Sequence, residues 1–416
     1  MISAVIEGMC RHGCRQEVSG RLRDDGWLKS EGCRHVVMES PGCYWKPVLH
    51  ILEDDPEYRL AGVLANAQQV KAVTGHKTDP HEARWLAHGL RHGMIRPSCI
   101  PPRAQRELRD LTRRRKQMVR AAAEERHRVQ EVWEDANVKI GDVLSDVFGL
   151  SGQLMSEALV AGQSSAGEVA QLARGHARKK IAELTAALEG HPMRDAHPFL
   201  ITRAMRHRAF LADEIEALDQ EIARSLTRPD LSQPNQLLQT IPGIRTQAAA
   251  AMLAEGGPHM QPFPGAAHFT SWSGIAPGNH ESAGKRRPSP TLRGNPHMKT
   301  ARVESAWSAS RTNGSQFQER YQRRQPGLGH KRTIVAVAHV LALRIYDVLQ
   351  SGLPYQKAHS AQSESSGKRL GAKCSAWAGG HAFFCADLRQ LRQFSKTRGS
   401  PPQHGVAPRY KFVVTT

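Results

Sequence analysis

Acidic residues are scarce in this 416-residue chain: 39 Asp and Glu stand against 58 Lys and Arg, a formal net charge of +19. Such a deficit makes a polyanion the natural partner, nucleic acid ahead of a lipid surface. Long apolar runs are missing too, which argues against a membrane span. The opening "MISAVIEGMCRHGCR" turns polar too soon for a signal peptide, so a cytoplasmic setting is expected. A disulfide framework is also lacking. The seven cysteines, at 10, 14, 33, 43, 99, 374 and 385, are odd in number and scattered, as reduced thiols are. Cys10, His12 and Cys14 have no second ligand pair at zinc spacing, so no zinc site is expected.

What is present exceeds the roughly 100–200 residues of one domain, so two domains joined by helical material are expected, α/β followed by α. Over residues 1–102, "RHVVMES" and "YRLAGVLAN" read as strands and "DPHEARWLAHGLRHG" as a helix; their alternation suggests a mostly parallel sheet. Residues 103–228 shift to charged helix formers. Leu108, Leu111, Met118, Val129, Val132 and Trp133 form an apolar stripe on a long helix, and Leu211, Ile215, Leu218 and Ile222 repeat as a coiled-coil seam would. The plainer form of this segment is a helical hairpin or bundle.

"TRPDLSQPNQ" reads as a Pro-broken linker into a mostly helical domain over 229–356. There "LLQTIPGIRTQAAAAMLAEGG" reads as two short helices about a Pro-Gly turn. That is the pattern of a helix-hairpin-helix, whose turn amides can face a phosphate, and equally of a plain helix corner. Residues 357–416 hold no sustained period and read as an irregular or disordered basic tail.

On so basic a chain, carboxylates stand out. Cutting a phosphodiester calls for a divalent ion, and Mg²⁺ takes hard oxygen ligands from Asp and Glu. Asp79 and Glu82 are three apart at a helix start, hence on one face. The same residues also fit a capping box, Asp79 as N-cap, Pro80 first in the helix and Glu82 reaching back, which needs no metal.

"VVMESPGCYWKPVLHILE", "LANAQQVKAVTGHKTDPHEARWLAHGLRHGMIRPSCIPP" and "RELRDLTRRRKQMV" resemble the N-terminal domain of the DEDD transposases of the insertion sequence 110 family, relatives of the pilin-gene invertases. "IPGIRTQAAAAMLAE", "FTSWSGIAPGNHESAGKRR" and "RGNPHMKTARVESAW" resemble that family's C-terminal transposase domain. The resemblance implies a RuvC-like, ribonuclease-H-like sheet whose four acids bind two divalent ions. Carried over by motif, Glu39 is the second acid and Asp79 the third. Glu82 stands where the family has an aspartate in "KTDxxDA", one methylene longer. The family's first acid lies on an opening strand of the type "GIDVSK", some forty to fifty residues before the "MES" glutamate. Only 38 residues precede Glu39, and Glu7, Glu17, Asp24 and Asp25 stand in polar or irregular context. The chain is therefore expected to begin inside the domain, without that strand and its ligand.

In "APGNHESAGKRRP" the resemblance makes Ser282 the nucleophile that forms a covalent link to DNA. By residue type alone a Ser in a Gly-rich loop is a turn residue. Lys285, Arg286 and Arg287 are suited to neutralise the phosphate charge. Ser271 and Ser273 are runners-up, though "SWSGIAPG" looks packed, with Trp272 as core; His280 is left unassigned among 21 His. Arg293, Lys299 and Arg302 read as contacts that position a phosphate backbone without reading sequence. The expectation is thus a transposase acting by site-specific recombination on DNA, with Mg²⁺, a structured guide RNA and a second copy of the chain as partners. Its rival is a catalytically dead nucleic-acid-binding remnant. A resolvase of branched DNA would share the acids but leave Ser282 unexplained.

Overall fold

The computed structural model describes residues 3–9, 34–39, 45–54, 61–65, 79–95, 97–162, 164–190, 193–276, 278, 281–282, 284–286, 290–357 and 409–415. The chain divides into two units, Met1–Pro101 with Leu370–Thr416, and Pro102–Arg369.

The first unit holds a five-stranded sheet in the order β1 (Ser3–Met9), β7 (Arg409–Thr415), β2 (His35–Glu39), β3 (Ala61–Ala65), β4 (Pro97–Ser98). Val36, Val37 and Met38 of β2 are consecutive and all buried, the unbroken apolar run of a strand covered on both faces. β3 pairs parallel to β2, from His35↔Ala61 to Glu39↔Ala65, and the crossover carries α1 (Trp45–Glu53). On one face α1 packs so close that a Cβ at Gly62 would meet Leu49 Cδ1 at 3.0 Å and Met38 Cε at 3.5 Å. The other face is covered by α2 (Asp79–Arg91), whose Leu86 and Ala87 cluster with Val37 and Ala65. Full burial of a leucine such as Leu86 stabilises by about 1.5–3 kcal/mol.

Three sequence expectations need correction here. The sheet is mixed, parallel only between β2 and β3. A strand does lie within the first 38 residues, β1, and the tail contributes another, β7; the two pair antiparallel from Ser3↔Thr415 to Met9↔Arg409. Their runs "AVI" and "FVV" are too short to declare a period, and each finds its partner at the far end of the chain, where local pattern carries no signal.

In the second unit the described strands are one short hairpin. α3 (Arg103–Asp135) spans about 50 Å at roughly 1.5 Å per residue. α4 (Ile140–Val143), α5 (Leu150–Ala161), α6 (Ala166–Gln171) and α7 (Ile181–Leu188) build a separate core around Trp133, Ile140, Met155, Val169 and Leu184. α6 opens on a capping box, Ser165 N donating to Glu168 Oε2 at 2.7 Å. α8 (Ala196–Leu226) then returns antiparallel along α3. Its polar partners keep one register: Arg115 with Asp219, His207 with Glu125 at 2.8 Å, His197 with Asp135 at 3.0 Å. Leu211 and Ile222 of the expected seam are buried, Ile215 and Leu218 half-buried.

Around the base of that pair pack α9 (Pro229–Gln239), α10 (Thr246–Gly256), α11 (Ala266–Trp272), α12 (Pro296–Arg311), α13 (Gln316–Leu328) and α14 (His330–Ser351). The "linker" 227–236 is another correction, since it forms most of α9. Pro229 sits in the first turn, where its missing N–H is no loss, and Leu231 and Leu238 are buried. The boundary expected at 228 thus divides one core, to which Leu108, Leu226 and Leu231 all belong. α14 is long and apolar enough by composition to cross a membrane. Its Ile334, Val337, Ala338, Leu341 and Ile345 are buried in this core.

Between α9 and α10 the turn depends on Gly243, at φ +86°, where a Cβ would stand 2.4 Å from Ala309 N and 2.6 Å from Ser305 O of α12. Gly243→Ala is expected to lower stability by about 2 kcal/mol or more, through backbone strain and clash together. Urea unfolding checks it; an unchanged midpoint would mean that the turn yields at no cost.

Candidate active site

Glu39 closes β2 and Asp79 opens α2. Alternation along β2 puts position 39 on the face of Val37, the face that α2 covers. Positions 79, 82, 86 and 90 recur at helical spacing, so 79 and 82 share the stripe of Leu86. The backbone therefore brings all three positions to one side of the sheet. Their carboxylates lie outside the described residues, among which no cluster of three or more His, Cys, Asp or Glu could hold a metal. α2 starts at Asp79, one residue ahead of the capping-box reading.

Ser282 sits in a hairpin, not an open loop. β5 (Glu281–Ser282) pairs antiparallel with β6 (Lys285–Arg286), in the register Glu281↔Arg286 and Ser282↔Lys285, with Gly284 at φ +73° in the two-residue turn. A positive φ at the second residue of such a turn is one that glycine adopts without strain. Below it the ladder continues: Gly278 N donates to Pro290 O, and Leu292 N to Ala276 O, each at 3.1 Å. The arm is rooted where Gly274 and Gly294 cross; a Cβ on Gly294 would lie 2.3 Å from Gly274 N. Directly opposed residues have Cβ atoms about 4.5–5.5 Å apart, so Lys285 is the cross-strand neighbour of Ser282. The side chains of Ser282, Lys285 and Arg286, and all of Arg287 and His280, lie outside the described residues.

A buried polar node fixes the root. Asn295 N donates to Trp272 O at 3.1 Å, while its side chain caps α12, accepting from His297 N and Met298 N at 3.0 Å each. Its Nδ2 donates to Glu255 Oε2 at 2.7 Å. Glu255, 3% exposed at the end of α10, also receives Arg113 Nε at 2.7 Å and Nη2 at 2.9 Å, with Arg109 Nε 3.5 Å away. Burial pushes its carboxyl up, but the hydrogen bonds from Arg113 and Asn295 and the charges of Arg109 and Arg113 outweigh that and hold it below the ordinary range. His297 beside it is held low by burial first, then by Arg113, Lys116 and Arg120, with Glu255 opposing. A basic face of α3 thus lies against the start of α12. Sequence reasoning missed this node. The available signal was Glu255 itself: a carboxylate in the last turn of an apolar helix opposes the helix dipole and calls for a cation.

Arg302 is corrected. Read as a phosphate contact, it is 0% exposed, its Nη2 donating to Ser273 O at 3.2 Å and its guanidinium 5.4 Å from the Phe269 ring centroid. Burial pushes it down to about 9. It belongs to the core because its position on α12, between the buried Ala301 and Ser305, faces inward. Ser273, a runner-up nucleophile, is equally enclosed, its Oγ donating to Thr270 O at 2.6 Å. Lys299 is half-buried and ties the arm's returning strand to α12, Nζ donating to Thr291 Oγ1 at 2.7 Å. Arg293 is exposed.

Two family models match the chain. One, described as the transposase IS116/IS110/IS902 family, covers residues 235–322, which include the serine arm and Glu255. The other, the DEDD transposase of IS110 elements, covers residues 16–137, with Glu39, Asp79 and Glu82. Together they span about half of the chain. No curated protein matches it. The first unit's helix-covered sheet fits the RuvC-like fold of a DEDD domain, and the chain belongs to the IS110 family of insertion-sequence transposases.

Proposed function

We propose that the chain moves an insertion sequence by site-specific recombination, with Ser282 as the nucleophile toward DNA and Glu39, Asp79 and Glu82 as ligands of Mg²⁺. The observation that carries this reading is the serine hairpin, with Lys285 across from Ser282 on an arm rooted by Asn295. In the step, a bond from Ser282 Oγ to phosphorus forms as one phosphorus–oxygen ester bond of the strand breaks, and the departing strand end leaves as a hydroxyl, taking up a proton in place of the one that serine loses. Lys285, Arg286 and Arg287 offset the charge that builds on the phosphate. Mg²⁺ bound by the carboxylates would supply Lewis-acid neutralisation of a phosphoryl oxygen. Carboxylates are hard oxygen donors, which suits that ion.

A structured RNA choosing donor and target is part of the proposal, base pairing supplying specificity while the protein grips backbone. The exposed Arg114 and Arg120 on α3 support it, Arg113 and Arg115 being engaged by Glu255 and Asp219. A second copy is supported by Phe199 and Phe210, exposed eleven residues apart on one face of α8.

One observation favours the remnant reading. One neighbour of Glu39's strand is β7, "RYKFVVT", which carries no acid and pairs with β2 as far as Met38↔Phe412, while its Lys411 pairs with Glu7 of β1. The test is DNA cleavage and DNA binding, with Mg²⁺ or with chelator, across a salt series. Cleavage should require Mg²⁺. Binding should survive the chelator and fall by about 10³–10⁵ between 50 and 200 mM salt if six to ten phosphates are contacted. Binding without cleavage in Mg²⁺ would select the remnant reading; flat salt dependence would sink both.

A further inference from the structure

We propose that Arg320 of α13, with His339 and Arg344 of α14, forms an anion pocket that takes one phosphate group. α12, α13 and α14 pack together, and their junction concentrates unmet donors. Arg320 Nε, Arg344 Nε, His339 Nδ1 and Gln316 Nε2 are enclosed without a hydrogen-bond partner, as is Arg302 Nη1 behind them. The cations crowd one another. Burial, then Arg324, Arg323 and Arg344, hold the Arg320 guanidinium below its ordinary value; burial, then Arg320 and Arg302, do the same to His339.

The nearby acids are already engaged: Asp347 accepts from Arg344 Nη1 at 3.0 Å, and Glu319 from Lys357 Nζ at 2.9 Å. Among the described residues, no carboxylate pairs with Arg320, Arg302 or His339. Each enclosed, unsatisfied donor destabilises the fold, and more so when charged. An anion from outside the chain removes that cost. Phosphate suits the set because its several acceptor oxygens meet guanidinium forks and single N–H donors together. Its source is either a nucleic-acid backbone or free phosphate, and the pocket stands whether or not Ser282 is the nucleophile.

The full chain, its Arg320→Gln and Arg344→Gln variants, and Lys331→Gln as an exposed control are melted in inorganic phosphate and in chloride at equal ionic strength, and titrated with duplex DNA. In chloride Arg320→Gln should melt at or above wild type, since a crowded cation is gone, whereas Arg344→Gln also loses its bond to Asp347. A saturating rise in wild-type midpoint specific to phosphate, lost in the pocket variants and kept in Lys331→Gln, assigns the pocket to free phosphate. A fall of about tenfold in duplex affinity, with the salt slope reduced by about 0.9, assigns it to a backbone phosphate. Pocket variants equal to wild type in both arms would overturn the proposal.

Discussion

Ser282→Ala should abolish covalent protein–DNA adducts while leaving DNA affinity within about twofold of wild type. The two readouts separate because affinity is spread over many cations, whereas the Oγ–P bond has one possible oxygen at that position. Losing a nucleophile outright lowers turnover by on the order of 10⁴-fold or more. Lys285→Met should act differently. It removes a neutralising charge and leaves the nucleophile, so adducts should form slower by about 10²–10³-fold, the range for deleting one donor that stabilises developing charge. Denaturing gels of protein with labelled substrate in Mg²⁺ read both. Adducts persisting in Ser282→Ala would move the nucleophile to Ser271, which is half-buried, since Ser273 is enclosed and bonded to Thr270 O.

The long helical pair was legible because its signal is local. Leu108, Met118, Val129 and Trp133 recur at helical spacing, and all are buried in α3. Motif likeness likewise led to both transposase regions. What stayed hidden depends on contacts distant in sequence. β1 and β7 are short apolar runs that become strands by pairing with each other, and β7 with β2. α9 hid behind two prolines that a helix tolerates, one of them in its first turn. Arg302 was misread because a cation in a basic stretch looks solvent-facing until its neighbours on α12 show which side is packed. Likeness pointed to the serine, but not to the hairpin that holds it: Gly274 and Gly294 are twenty residues apart, and nothing local says that their backbones touch.

Glu255 is where stability and the serine arm meet, and Glu255→Ala should be among the most damaging single changes in the second unit. The carboxylate joins α3 through Arg109 and Arg113, α10 through its own position, and α12 with the arm's root through Asn295. Removing it takes the bonded carboxylate from Arg113 and the carboxylate 3.5 Å away from Arg109. Breaking a buried pair costs about 3–5 kcal/mol; the lower end applies, because Arg113 is partly exposed and Arg109 keeps its bonds to Ala254 O and Glu255 O. Glu255→Gln should cost less, since an amide still fills the space.

Acid distinguishes this account from simple loss of packing. The folded Glu255 carboxyl lies below its ordinary value, so its contribution is complete above the unfolded carboxylate range and is lost as pH falls through the lowered folded value. The gap in unfolding midpoint between wild type and Glu255→Gln should therefore narrow on acidification, when the native side chain is itself neutral. A gap constant from pH 7 to pH 3 would mean that shape, not charge, is what the node supplies. If the node also sets the arm, Glu255→Gln should slow adduct formation at saturating DNA under conditions where it is fully folded. An unchanged rate would confine Glu255 to holding α3, α10 and α12 together.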